Sequence, residues 1–168
     1  MSAAKIESLH QAVIGIGSNI FPRDNIRSAL YLLSRMVTVQ AVSRIWKTSA
    51  IGSPGPDFLN AAALAATDFS AEKLRKEILR PIESMLGRIR THDPNAPRTI
   101  DLDILMFDGE ILDRQLWEYP HMAVPVGELI PDYVDQASGN RAAEIAELLL
   151  ESPEIIEADL DLHWTSAP

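Results

Sequence analysis

The stretch FLNAAALAATDF, residues 58–69, decides the fold. Its alanines favour a helix, and its length suits a helix or a strand equally. The flanking sequence settles the reading. Upstream, VTVQAVSRIWKT (37–48) alternates apolar and polar residues as a half-buried strand does. Between the two lies SAIGSPGPD (49–57), punctuated by Gly and Pro as a loop is. Such a loop joining two strands gives a hairpin-like unit, so 58–69 is expected to be a strand.

The rest follows outward. HQAVIGIGSN (10–19) reads as a first strand ending in a Gly-Ser-Asn turn. DNIRSALYLLSRM (24–36) carries Ile26, Leu30, Leu33 and Met36 at helical spacing, with Asp24 as N-cap. SAEKLRKEILRPIESMLGR (70–88) is a second helix, capped by Ser70 with Glu72 in its first turn. Leu74, Ile78, Ile82 and Met85 line one face of it, and Pro81 implies a kink or a restart. APRTIDLDILMF (96–107) contains a strand from Thr99, expected to be central because its apolar run is long. A short helix from Arg141 to Leu150 and an extended piece ending at Trp164 follow. The order β-α-β-β-α-β, with C-terminal additions, predicts a ferredoxin-like α+β sandwich forming one domain over residues 1–168. That fold hosts many activities, so function must come from the site.

Composition narrows the classes. The chain has 168 residues, 46% hydrophobic and 23% charged, which suits a globular domain able to bury a core. It has no cysteine, so neither disulfides nor thiolate zinc sites are available. No leader pattern and no membrane-length apolar run stand in it, and a cytoplasmic location is expected. The formal net charge of −9 argues against a general nucleic-acid binder. That charge is uneven: residues 73–98 hold seven Lys or Arg against three acids, and residues 110–161 hold two against thirteen. Lys73, Arg75 and Lys76 fit a solvated helix face as well as a ligand site. Arg88, Arg90 and Arg98 flank a loop leading into two aspartates, where an anionic ligand and a cation would be at home together.

Those aspartates are the sharpest chemical feature. On a strand, residues two apart share a face, so Asp101 and Asp103 project together while Ile100, Leu102 and Ile104 face the other way. Two adjacent carboxylates repel each other, and something positive should sit between them. Hard oxygen ligands suit Mg²⁺, which keeps several waters and binds substrate phosphates as well. Phosphoryl-type transfer also needs cationic side chains, for which Arg88, Arg90, Arg98 and His121 are candidates. His121 also reads as a structural histidine. GIGSN (15–19) lacks the remaining features of a phosphate loop. Trp46, Trp117 and Trp164 read as packing residues.

GIGSN, PDFLNAA (56–62), IESMLGRIR (82–90), PRTIDLDILMF (97–107) and YPH (119–121) stand in an order and spacing that resembles the 6-hydroxymethyl-7,8-dihydropterin pyrophosphokinase family. The resemblance covers roughly residues 10–150, and PRTIDLDIL is its most specific part. It implies pyrophosphate transfer from ATP to a pterin alcohol in folate synthesis, with two Mg²⁺ ions. By motif, Asp101 and Asp103 would hold the metal, and Arg88 and Arg98 would meet the phosphates. Glu83, Arg90 and His121 would serve the nucleotide. Asn60 would bond the pterin ring, Phe58 would stack on it, and Gly17, Thr48 and Ile51 would line the pocket. The partners implied are small molecules alone. The chain also departs from the family. After His121 about eight residues are absent, with an arginine and a second stacking aromatic. Asn95 stands where a Trp is common, and Arg80 and Leu116 replace other polar or basic contacts. A diverged homologue acting on another pterin or alcohol, or one that only binds, is the second reading. A ferredoxin-like module with the acidic 110–161 region as its contact surface is the third. That third reading gains nothing from two adjacent like charges.

Overall fold

The computed structural model describes residues 9–50, 55–93 and 96–160. Residues 58–69 contain the strand that the hairpin argument requires, β4 (Phe58–Thr67), against the helix preference of its alanines. The reason is packing. The sheet is covered on both faces, and β4 is buried along nearly its whole length. Alanines let helices approach a two-sided strand closely, and tertiary burial overrides a propensity of tenths of a kcal/mol per residue.

The other sheet strands are β1 (His10–Ser18), β2 (Thr38–Val42), β3 (Trp46–Thr48), β5 (Asp101–Phe107), β6 (Glu110–Ile111) and β7 (Ile155–Glu157). Their order is β6-β5-β1-β4-β3-β7, with β2 also on β4. The central pairs are antiparallel, as the ferredoxin-like topology demands. The single strand read over 37–48 is two pieces, broken at Ser43, whose hydroxyl accepts a bond from the Ala62 N–H in the gap.

On one face lie α1 (Pro22–Ser34) and a second helical run over 71–85. Helix α1 starts two residues before the expected cap: Phe21 holds the N-cap position at φ 43°, Pro22 opens the helix, and Asp24 sits in its first turn. Ile26, Leu30 and Leu33 are buried as their spacing predicts, whereas Met36 lies beyond the helix and is exposed. In the second run, α2 (Ala71–Lys73) passes into a π-helical stretch (Leu74–Leu79) and then into α3 (Arg80–Met85). Ser70 caps it, its hydroxyl accepting from the Lys73 N–H. Pro81 stands in the first turn of α3, where α-helix resumes after the π-helical stretch, in line with the restart it implied. The widened turn just before it takes up the mismatch, and Arg80 donates to the Arg75 carbonyl five residues back. The extra residue shifts the apolar face, so Leu79 is buried and Met85 points to solvent.

The other face carries α4 (Pro120–Leu129) and α5 (Ala142–Leu150). Helix α5 matches expectation. Helix α4 does not: two prolines and a valine-rich stretch gave no helical signal. Pro120 occupies the first turn, where no N–H is needed, and Pro125 lacks the N–H that would serve the His121 carbonyl. Packing holds α4 in place. A side chain at Gly127 would put its Cβ 2.6 Å from the Ala146 Cβ of α5. The Glu128 carboxylate accepts from Arg44 N–H at 2.8 Å and from Trp46 Nε1 at 2.8 Å. Trp46 is thus a buried packing residue. Trp164 lies outside the described residues.

Candidate active site

Antiparallel register sets the floor of the site. Asp101 faces Gly17 across β5 and β1, and Gly17 faces Asn60 across β1 and β4. One step along, Asp103 faces Gly15 and Gly15 faces Ala62. Directly opposed residues point to the same side, so the carboxylates, two bare glycines and Asn60 share one face of the sheet. Gly15 and Gly17 lie inside β1 rather than in a turn. A Cβ on Gly15 would sit 3.0 Å from Leu105, and one on Gly17 would sit 3.4 Å from Asn60 Oδ1. The glycines keep a hollow open where side chains would fill it.

That hollow is a cavity of about 370 Å³ lined by Gly17, Thr48, Phe58, Asn60, Asp101 and Asp103, with Arg98 and His121. Asn60 is buried and held by Thr48, whose Oγ1 accepts from its Nδ2 at 2.9 Å. The structure therefore brings together eight of the residues read from the sequence. Ile51 and Asn95 lie outside the described residues.

The positive charge required beside the aspartates is present. Arg88 Nη1 forms an ion pair with Asp101 Oδ1 at 2.9 Å, and Arg98 donates to Asp101 Oδ2. The Arg98 guanidinium also lies 5.8 Å from the centre of the Phe58 ring. Asp103 receives no such clamp. Burial within the cavity walls, then the like charge of Asp101, push its carboxyl above the usual range, although the open cavity leaves it wet. A cation arriving there would meet a carboxylate in want of one. Among the described residues no three His, Asp or Glu gather as a closed protein cage would need. Mg²⁺ needs none, because waters and phosphate oxygens complete its shell. The pair fits that ion.

Three of the expected residues, Glu83, Arg88 and Arg90, do not line the cavity. Glu83 is 3% exposed and turns inward, accepting from the Leu102 N–H at 2.9 Å and from Arg90 at 2.6 Å. Burial pushes its carboxyl up, opposed by the Leu102 bond. Arg88 spends one further bond on the Ile100 carbonyl, at 2.8 Å. His121 opens α4, tilted against Tyr119 with ring centres 5.6 Å apart. Burial lowers the basicity of its imidazole.

Sequence reasoning missed Asp113, Gln115 and Tyr119, which line the cavity from the segment leading into α4, and Met122 in its first turn. Gly15 was within reach, since it precedes Gly17 by one strand period. Leu116 is fully buried in the core between sheet and α4, and Arg80 is exposed on its helix.

Residues 13–131 match the family model described as 7,8-dihydro-6-hydroxymethylpterin-pyrophosphokinase. The chain belongs to this pyrophosphokinase family. Among curated relatives, a 2-amino-4-hydroxy-6-hydroxymethyldihydropteridine pyrophosphokinase of Synechocystis is 30% identical over 96% of this chain and 83% of its own length. The Bacillus subtilis protein of that name is 39% identical over 66% of this chain and 67% of its own. A folic acid synthesis protein of Dictyostelium discoideum is 27% identical over 72% of this chain, a fifth of that protein. An HPPK-DHPS crystal structure from Plasmodium falciparum superposes with a TM-score of 0.70 at 10% identity, covering 90% of this chain and 49% of that one. At that identity the likeness speaks for the fold.

Proposed function

We propose that this chain transfers the pyrophosphoryl group of ATP to the hydroxymethyl group of 6-hydroxymethyl-7,8-dihydropterin, giving AMP, as a step of folate synthesis. One observation carries the reading: a buried amide, an aromatic ring and a carboxylate pair meet on one sheet face within one cavity, inside the family match. A flat heteroaromatic ring needs fixed polar partners and an aromatic face, which Asn60, Thr48 and Phe58 supply beside Gly17. In the reaction, the alcohol oxygen bonds to the β-phosphorus, the bridge to the α-phosphate breaks, AMP leaves, and the hydroxyl proton is released.

Asp101 and Asp103 would hold Mg²⁺, two ions by family resemblance, and the metal would neutralise phosphate charge. Arg88 and Arg98 already converge on Asp101, so a phosphate beside that carboxylate lies within their reach. Guanidinium pairs suit such oxygens because they donate in parallel. His121, held neutral by burial, can donate one hydrogen bond to the nucleotide without adding charge. Arg90 bonds Glu83 and does not itself line the cavity. Among the described residues no helix is long and apolar enough to cross a membrane.

The test is direct. Purified protein with Mg²⁺, ATP and 6-hydroxymethyl-7,8-dihydropterin should release AMP and the pterin diphosphate one for one. If no AMP forms with this or any other pterin alcohol, the diverged-homologue reading replaces this one.

A further inference from the structure

The outer edge of β5 is unusual where it matters most. Strand β6 covers only Met106 and Phe107, and the Leu105 carbonyl accepts from the next two amides, Leu112 and Asp113. Further up, beside the two aspartates, two side chains stand where a strand would pair. Glu83 Oε1 accepts from the Leu102 N–H at 2.9 Å, and Arg88 donates to the Ile100 carbonyl at 2.8 Å. An acceptor and a donor spaced two residues apart are what an antiparallel neighbour would offer.

Both groups come from one rigid turn. Gly87, at φ 76°, ends α3 and brings the Arg88 N–H back to the Glu83 carbonyl at 3.0 Å. Glu83 thereby fixes Arg88 with its backbone and Leu102 with its carboxylate. The Leu102 amide is the peptide link that follows Asp101 and precedes Asp103. Two like charges on an unpaired edge would otherwise separate by twisting that link.

We infer that Glu83 is a positioning residue: it completes the free edge of β5 and so holds Asp101 and Asp103 in the orientation that a divalent cation needs. This rests on the metal reading above. Its role is toward the aspartates rather than toward the nucleotide. Groups that orient metal ligands from behind typically carry about 10–100-fold in metal affinity or activity.

The test uses Glu83→Ala and Glu83→Gln in the full chain, with Mn²⁺ as the spectroscopic probe and a non-hydrolysable ATP analogue. Glu83→Ala should weaken Mn²⁺ binding about tenfold, lower kcat by a similar factor, and leave pterin KM within about threefold. Its Leu102 amide should lose protection from hydrogen exchange. Glu83→Gln keeps an oxygen for that amide and should recover most of both the protection and the Mn²⁺ affinity. Wild-type Mn²⁺ affinity in a folded Glu83→Ala protein overturns the inference. If that variant does not fold, Glu83→Gln decides: Leu102 protected but Mn²⁺ lost would make charge, not positioning, its contribution, and overturns it equally. Asp103→Asn separates the two readings. If it binds Mn²⁺ as wild type does, the metal reading fails and the inference falls with it; if it loses Mn²⁺ while folded Glu83→Ala keeps wild-type affinity, the inference alone fails.

Discussion

The sheet has two ends, finished by different means. Beyond β3 the chain lays down another strand, β7, pairing Trp46 with Glu157, Lys47 with Ile156 and Thr48 with Ile155. Arg44 crosses that seam, bonding Glu157 at 2.7 Å and Glu128 at 3.1 Å. Beside the aspartates of β5, among the described residues, the ends of Glu83 and Arg88 stand in place of a strand. Both solutions satisfy backbone groups that would otherwise stand open. They differ in what they leave free. A paired strand locks its neighbour along its length. Side chains from a helix end secure selected backbone atoms and let cationic groups reach Asp101 as well. The edge that must meet charged ligands is the one built from charges.

The largest effects should come from breaking that charged edge. Asp101→Ala and Asp103→Ala should each lower turnover by on the order of a hundredfold or more, as loss of a charge-stabilising group in a reacting site does. Their stabilities should then part. Asp101 is the shared partner of Arg88 and Arg98, and Arg88 is only 11% exposed. Its removal strands a nearly buried cation, so the melting temperature without metal should fall. Asp103 has no arginine clamped to it and suffers from its neighbour's charge, so Asp103→Ala should melt at or above wild type. Thermal melts in EDTA check both, and equal destabilisation would show that the two carboxylates are not electrostatically distinct.

The opposite edge should respond in the opposite way. Glu128→Ala leaves a buried Trp46 Nε1 and the Arg44 N–H without their acceptor. A lost acceptor of that kind costs about 1–3 kcal/mol, read as a lower denaturation midpoint. Turnover at a temperature where the variant is folded should change by less than about threefold, because the seam touches no reacting group. A large drop in kcat with unchanged stability would mean that the seam steers His121 through α4.

Much of this contrast was legible before any coordinates. Alternation over 37–48 and the Gly/Pro loop forced the strand reading of 58–69, and strand period two placed Asp101 and Asp103 together. What was hidden depended on partners distant in sequence. The site half of β5 was expected to be central, since its apolar run is continuous. Helices bury its Leu102 face while the aspartate face opens into the cavity, and burial on a face says nothing about pairing at an edge. Glu83 was expected at the nucleotide because the family resemblance places it there. That Leu102 takes its carboxylate depends on the Gly87 turn and on the widened helical turn before Pro81. Helix α4 had no periodicity to read, because sheet and α5 bury it from two sides. The second aromatic missing after His121 has a neighbour at hand: Tyr119 lines the cavity, while Trp117 packs against Tyr133 in the core.

The smallest expected effect lies at the far tip of β5, where the edge is again closed by a strand. Asp108 and Gly109, both at positive φ, form the tight turn into β6, as an Asp-Gly pair favours. Asp108 accepts from the Gln11 N–H at 2.9 Å and bonds His10 at 2.6 Å, tying the turn to the start of β1. Those bonds, the Gln11 N–H first, hold its carboxyl below the ordinary 3.8. A carboxyl whose folded value is depressed adds stability above its unfolded value and loses it as pH falls through the folded one. Asp108→Asn should therefore be slightly less stable than wild type at neutral pH. The gap should close as pH drops below 3.8 toward the lower folded value. Because both partners are solvent-exposed, added salt should narrow the gap too. Paired denaturant titrations of the two proteins across that range check the sign. A gap that widens on acidification would mean that the turn is held by something other than the ionised carboxylate, and turnover should be untouched throughout.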